Sequence, residues 1–108
     1  MGRSYLSYTM ALILQVAESG YRYGFDIMAV TGLPSGTVYP ALRRLEDSGF
    51  VVSRWEESSI AHRQHRPVRK YYEVSDAGRT MLADACKRFR LLSQFEPLTV
   101  DKSAKENL

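Results

Sequence analysis

The sequence predicts a mainly α fold with a small β-hairpin: a winged helix-turn-helix followed by one C-terminal dimerisation helix. Three observations predict it. Apolar residues recur at helical spacing in three segments between residues 7 and 48, the last two joined by a very short turn. The period then changes to aromatic and β-branched runs of strand length at 50–57 and 69–74. From Ser75 the helical spacing returns.

The first helix is read over residues 7–18, SYTMALILQVAE, with Ser7 or Thr9 as its cap and Ser19-Gly20 as its stop. Met10, Ile13, Leu14 and Ala17 share one face and are expected in the core. A short second helix covers 23–31, with Phe25, Met28 and Ala29 expected to lie partly inward. Gly32 ends it, and Pro34 blocks continuation.

The third helix, 36–48, carries a clear stripe. Val38, Ala41, Leu42 and Leu45 lie within about 60° of one line, while Gly36, Pro40, Arg43 and Asp47 gather on the far side. Tyr39 and Arg44 flank that outer face. A plain surface helix has little use for a glycine and a proline there. Pro40 is expected in or near the first turn, where a missing amide donor costs little.

The strand runs FVVSRWEE and RKYYEV are joined by SSIAHRQHRPV, a polar and basic stretch suited to a hairpin tip. Tyr71 and Tyr72 alternate across their strand, so one is expected in the core and the other against a helix or beside the wing. Ser75 is the expected cap of the last helix, SDAGRTMLADACKRFRLLSQF. Along it Leu82, Ala85, Phe89 and Leu92 keep the spacing of a coiled-coil seam and are expected to form a dimer interface. The chain thus divides into a winged helix-turn-helix at 1–75, a dimerisation helix at 76–96 and a tail at 97–108. The tail has no amphipathic pattern and is expected to be mobile.

At 108 residues the chain is one small domain that dimerisation would help to stabilise. Its single cysteine, Cys86, excludes an intramolecular disulfide and suits a reducing cytosol. The longest apolar run near the N-terminus, MALIL, is too short for a membrane span or a signal core, so a cytoplasmic protein without a membrane partner is expected. The net charge of +3 leans mildly toward an anionic partner. Its placement says more. No acid lies between Glu57 and Glu73, and Arg63, Arg66, Arg69 and Lys70 all fall in that gap.

These features point to double-stranded DNA. A helix entering the major groove needs small residues where its backbone approaches the duplex, and Ser35, Gly36 and Thr37 supply them. Amides at a helix start also suit a phosphate oxygen. Tyr39 can reach a phosphate or pack on a sugar, and Arg43 can extend to guanine or the backbone. Arg63, Arg66, Arg69 and Lys70 would give the wing its phosphate contacts. Trp55, Phe89, Leu92 and Phe95 are candidates for an apolar effector pocket where the C-terminal helices meet the wings.

Other classes fit less well. No phosphate-cradling glycine loop and no catalytic triad is found, so no enzyme is expected. His62 and His65 form a lone HxxH without a third ligand, so neither metal nor cofactor is expected. A winged helix used only for protein association is the alternative; RNA binding would call for stacking aromatics that the wing tip lacks.

The stretches GYRYGFDI, GTVYPALRRLEDSGFV with RWEES, and RPVRKYYEVSDAGRTML together resemble the PadR family of bacterial transcriptional regulators. The resemblance runs from about Thr9 to Leu92 and is to the compact branch with a single C-terminal helix. It implies a winged-helix DNA-binding domain, pairing of two subunits through that helix, and repression of nearby genes, often relieved by a small molecule. The expected partners are therefore a palindromic operator, a second copy of the chain and a small-molecule effector. One departure stands out. A glycine common near the wing's basic residues is absent, and His65-Arg66-Pro67 occupies that region.

Overall fold

In the computed structural model, which describes residues 6–93, Ser7 caps helix α1 (Tyr8–Glu18) by accepting the Met10 amide at 3.1 Å. Ala11, Ile13, Leu14, Val16 and Ala17 are all buried, a face too wide for a surface helix. α1 is accordingly the central element. Around it pack α2 (Gly24–Thr31), α3 (Ser35–Asp47), strand β2 (Lys70–Val74) and α5 (Asp76–Arg88). Each fully buried leucine or isoleucine of this core stabilises the fold by about 1.5–3 kcal/mol.

Local chemistry sets the helix-turn-helix. Gly32 takes the left-handed conformation (φ 76°) that closes α2, and its amide bonds the Met28 carbonyl at 2.8 Å. Pro34 then serves as the N-cap of α3. Val38, Ala41, Leu42 and Leu45 are buried, the stripe the spacing predicts. In α2 Ile27 is fully buried and Met28 packs partly inward as expected, whereas Ala29 and Phe25, the latter 64% exposed, face outward.

Strand β1 (Val51–Trp55) pairs antiparallel with β2 in the register Val51–Val74, Ser53–Tyr72 and Trp55–Lys70. The hairpin is tied to the helices by a bridge between Tyr23 and Tyr71 and by the Tyr72 amide, which donates to the Arg22 carbonyl at 2.9 Å. Tyr72 is buried, and Tyr71 stays partly exposed beside the Tyr23 ring at 6.1 Å. The connection between the strands is not a bare tip. Ser58–Arg63 forms a short helix, α4, which buries Ala61.

Ser75 caps α5 by accepting the Gly78 amide at 3.0 Å while its hydroxyl donates to the Gly49 carbonyl at 2.6 Å. A Cβ at Gly78 would stand 2.1 Å from the Phe50 carbonyl oxygen, so this contact requires glycine. The C-terminal helix is not continuous. It breaks at Phe89 (φ −114°, ψ 99°), and α6 (Arg90–Ser93) packs back on α1 and α5. Leu82, Ala85 and Leu92, expected on a dimer seam, consequently lie in the chain's own core. Phe89 instead meets the Tyr8 ring edge-on at 5.3 Å. Phe95 and the tail 97–108 lie outside the described residues. Among the described residues no helix is long and apolar enough to cross a membrane.

Candidate nucleic-acid interface

The Thr37 and Val38 amides of α3 bond the Pro34 carbonyl, at 2.9 and 3.0 Å, while those of Ser35 and Gly36 precede the helical ladder and the Pro34 cap offers them no side-chain hydrogen bond. Ser35 and Gly36 are exposed and Thr37 is half-buried, so this helix start faces outward. Space around Gly36 is open: a Cβ there would meet nothing within 4 Å. The fold does not require that glycine. Pro40 falls in the second turn rather than the first, since α3 begins at Ser35. Lacking an N–H, it leaves the Gly36 carbonyl without its usual helical donor. The start of α3 thus offers the Ser35 and Gly36 amides, and its outer face adds a backbone carbonyl that a regular helix would occupy.

Tyr39 and Arg43 follow on the same face, both exposed. Tyr39 leans over Gly24, at the start of α2, where a Cβ would come within 2.4 Å of its ring. Tyr23, Gly24, Phe25, Tyr39, Arg69, Lys70 and Tyr72 line a cleft of about 390 Å³ between α2, α3 and the hairpin. A second hollow continues it past Pro40 and Arg43 to Glu46 and Asp47. Ser53 donates to Glu46 at 2.5 Å, anchoring β1 on α3. Burial, reinforced by the nearby Glu46 carboxylate, pushes the Tyr72 phenol above its ordinary 10.0.

The wing is pinned by a carboxylate. Glu56 is the buried charged side chain among the described residues. It takes both terminal nitrogens of the Arg66 guanidinium, one on each oxygen, with the second contact at 3.2 Å. It also accepts the Arg69 amide at 2.9 Å and the Tyr23 hydroxyl at 3.5 Å. The Arg66 hydrogen bond holds the Glu56 carboxyl below its ordinary value against the opposing effect of burial, and Glu56 raises Arg66 in return. Arg66, expected on a phosphate, is therefore turned inward, its side chain only 16% exposed. At the neighbouring position His65 adopts φ 55°. That is a left-handed conformation without the glycine that makes it easy.

The remaining predicted contacts stay outward. Arg63, at the end of α4, and Arg69 are exposed, and Lys70 is half-buried in the cleft. The structure thus groups Tyr39, Arg43, Arg69 and Lys70 along one groove beside the start of α3. The effector candidates are not brought together within one chain: Trp55 lies in the wing, Phe89 on Tyr8, and Leu92 in the core. Gly24, Phe25 and Glu56 belong to the site and were not expected there. Spacing alone carries a weak signal for them, because each matters through a partner distant in sequence. Among the described residues no three His, Cys, Asp or Glu side chains cluster as metal ligands would.

The model of the transcriptional regulator PadR-like family matches residues 13–84. The chain belongs to that family. Solved structures of PadR regulators share its fold. A PadR family transcription regulator from Clostridium difficile R20291 is 25% identical, with 82% of this chain and 93% of that one covered at a TM-score of 0.66. The smu.1704 protein of Streptococcus mutans UA159 is also 25% identical, over 99% of this chain and 97% of that one, at a TM-score of 0.64. Bacillus subtilis PadR, solved in complex with operator DNA, is 23% identical over 72% of this chain and 47% of that one, at a TM-score of 0.61. A search of the curated proteins found no match. This PadR-like chain therefore places its exposed cations and small residues on a fold used by transcriptional regulators.

Proposed function

We propose that the chain is a cytoplasmic, homodimeric, sequence-specific DNA-binding regulator, and that it represses transcription. One observation carries the reading: the outward start of α3 (Ser35, Gly36, Thr37, Tyr39, Arg43) lies beside the acid-free edge of the wing. Small residues admit the backbone to the major groove, Arg43 reads base or phosphate, and Arg63, Arg69 and Lys70 follow the phosphates. Operator DNA bound to a PadR protein of the same fold supports it.

A symmetric dimer would set two copies of α3 in successive major grooves, about one helical turn apart on a palindromic operator. In this reading subunits meet through apolar residues left outside the core. Tyr8, Phe89 and Leu91 line one such hollow, and Leu91 is 68% exposed. A small apolar effector bound between subunits would release the DNA, provided its affinity differs between the bound and free dimers.

Footprinting on the DNA upstream of the chain's own gene, with a salt challenge, tests the proposal. Protection of two half-sites one turn apart, lost as salt rises, is the expected result. A chain that protects nothing even in dilute buffer overturns it and favours a protein-association module.

A further inference from the structure

The two faces of the hairpin differ in their electrostatics. On the outer face Arg54 donates to Glu73 at 2.9 Å, and Arg22 approaches the same carboxylate at 3.5 Å. Both of those guanidiniums have a carboxylate partner. The inner face runs from Val51 and Val74 in the core, through Ser53 and Tyr72, to Trp55 and Lys70. Lys70 has its ammonium 5.7 Å from the Trp55 ring centre and 6.0 Å from that of Tyr72. Among the described residues it has no carboxylate in ion-pair contact. The acids that flank the pair in sequence are engaged elsewhere, Glu73 by Arg54 and Arg22, and Glu56 by Arg66 and the Arg69 amide.

Register places this pair beside the groove. Ser53 is level with Glu46 of α3, to which it donates. β1 runs back along α3, so two residues further on Trp55 has advanced about 7 Å, the rise of about four to five helical residues. That is abreast of the turn carrying Tyr39 and Arg43, and Lys70 lines both hollows that hold those side chains. Trp55 is 66% exposed there. An indole so placed beside an uncompensated ammonium presents a flat apolar face next to a cation.

We infer that Trp55 and Lys70 together form a sugar-phosphate contact for double-stranded DNA, the indole covering a deoxyribose while the ammonium meets the adjoining phosphate. The inference rests on the DNA-binding reading above and moves Trp55 from the expected effector pocket to the nucleic-acid surface. Its occupant follows from charge and shape: deoxyribose is apolar on its faces and is flanked by anions. The contact is blind to sequence, and it differs in that from one made by Arg43 to a base.

Trp55 is the chain's one tryptophan, so its emission reports this place alone. The full chain is titrated at low salt with a random-sequence duplex and with a duplex from upstream of its own gene. Emission should fall with both and recover as salt is added. Trp55→Ala should weaken both duplexes by the same factor, about fivefold, the scale of an exposed cation–π partner. Trp55→Phe should restore most of that loss, and neither variant should lower the melting temperature. Binding of both duplexes with unchanged emission and unchanged Trp55→Ala affinity overturns this inference alone. So does a loss confined to the upstream duplex. A parent chain that binds neither duplex overturns the DNA-binding reading together with it.

Discussion

Substituting Gly24 by alanine separates the binding surface from the fold. The new Cβ would lie 2.4 Å from Cε1, 2.7 Å from Cζ and 2.8 Å from the hydroxyl oxygen of Tyr39. Carbon atoms settle at about 3.5–4.0 Å, so the ring must retreat by about 1 Å or swing away. It is free to do so, being 45% exposed, and the atoms in question are the far end of a flexible side chain. Alanine also gains up to about 1 kcal/mol of helix propensity at the start of α2. Stability should therefore change by no more than about 1 kcal/mol. Affinity should not be spared. A hydrogen bond from a phenol to a charged phosphate contributes about 1.5–3 kcal/mol, so a displaced Tyr39 should cost at least about tenfold in Kd. Urea unfolding and fluorescence anisotropy with the upstream duplex measure the two quantities, with Tyr39→Phe as the control that removes only the hydroxyl. Gly24→Ala binding like the parent while Tyr39→Phe is weakened would refute the displacement. A stability loss above about 3 kcal/mol would show instead that the ring cannot yield.

Gly78→Ala should behave in the opposite way, because the neighbour it meets is the Phe50 backbone; a loss of about 1–3 kcal/mol is expected in urea unfolding. Glu56→Gln should alter acid stability with a definite sign. The lowered Glu56 pKa means its contribution is complete above the ordinary 4.5 and is lost as pH falls through the folded value. Melting temperature should therefore drop less steeply below that pH in Glu56→Gln than in the parent, from a lower neutral starting point; parallel curves would refute it. Pro40→Ala returns a donor to the Gly36 carbonyl and should raise stability by about 1–3 kcal/mol while weakening DNA binding, read by the same two assays.

What was legible in the chain is what is local. The buried stripe of α3 follows from its own spacing, and the change to strand period marks the hairpin without reference to anything distant. The Glu56–Arg66 pair was not legible, since nine residues, six of them in α4, separate the partners and only the path through that helix brings them together. The break at Phe89 was hidden for a related reason. Leu82, Ala85, Phe89 and Leu92 keep helical spacing whether the helix continues or folds back, and contact with Tyr8 and α1 decides between them. For Trp55 alternation shows which residues share its face, but not that this face turns to the groove; the register with Lys70 supplies that.

Comparison of the glycines shows where the outward demand lies. Gly78 is required by the Phe50 backbone and Gly24 leaves room for the Tyr39 ring, so each is explained inside the chain. Gly36 is not, because its surroundings are empty and its helical conformation suits any residue. A residue that costs helix stability and serves no internal contact implies a close approach from outside, and it lies one turn from a proline that opens its carbonyl. The wing answers to the same logic. Arg66 gives up its charge to Glu56, and that pair also holds the Arg69 amide, so the cations of Arg69 and Lys70 emerge from a fixed point of the backbone. A phosphate contact made from a fixed point loses less side-chain freedom on binding than one made from an open tip. The inward arginine therefore serves the surface it no longer reaches.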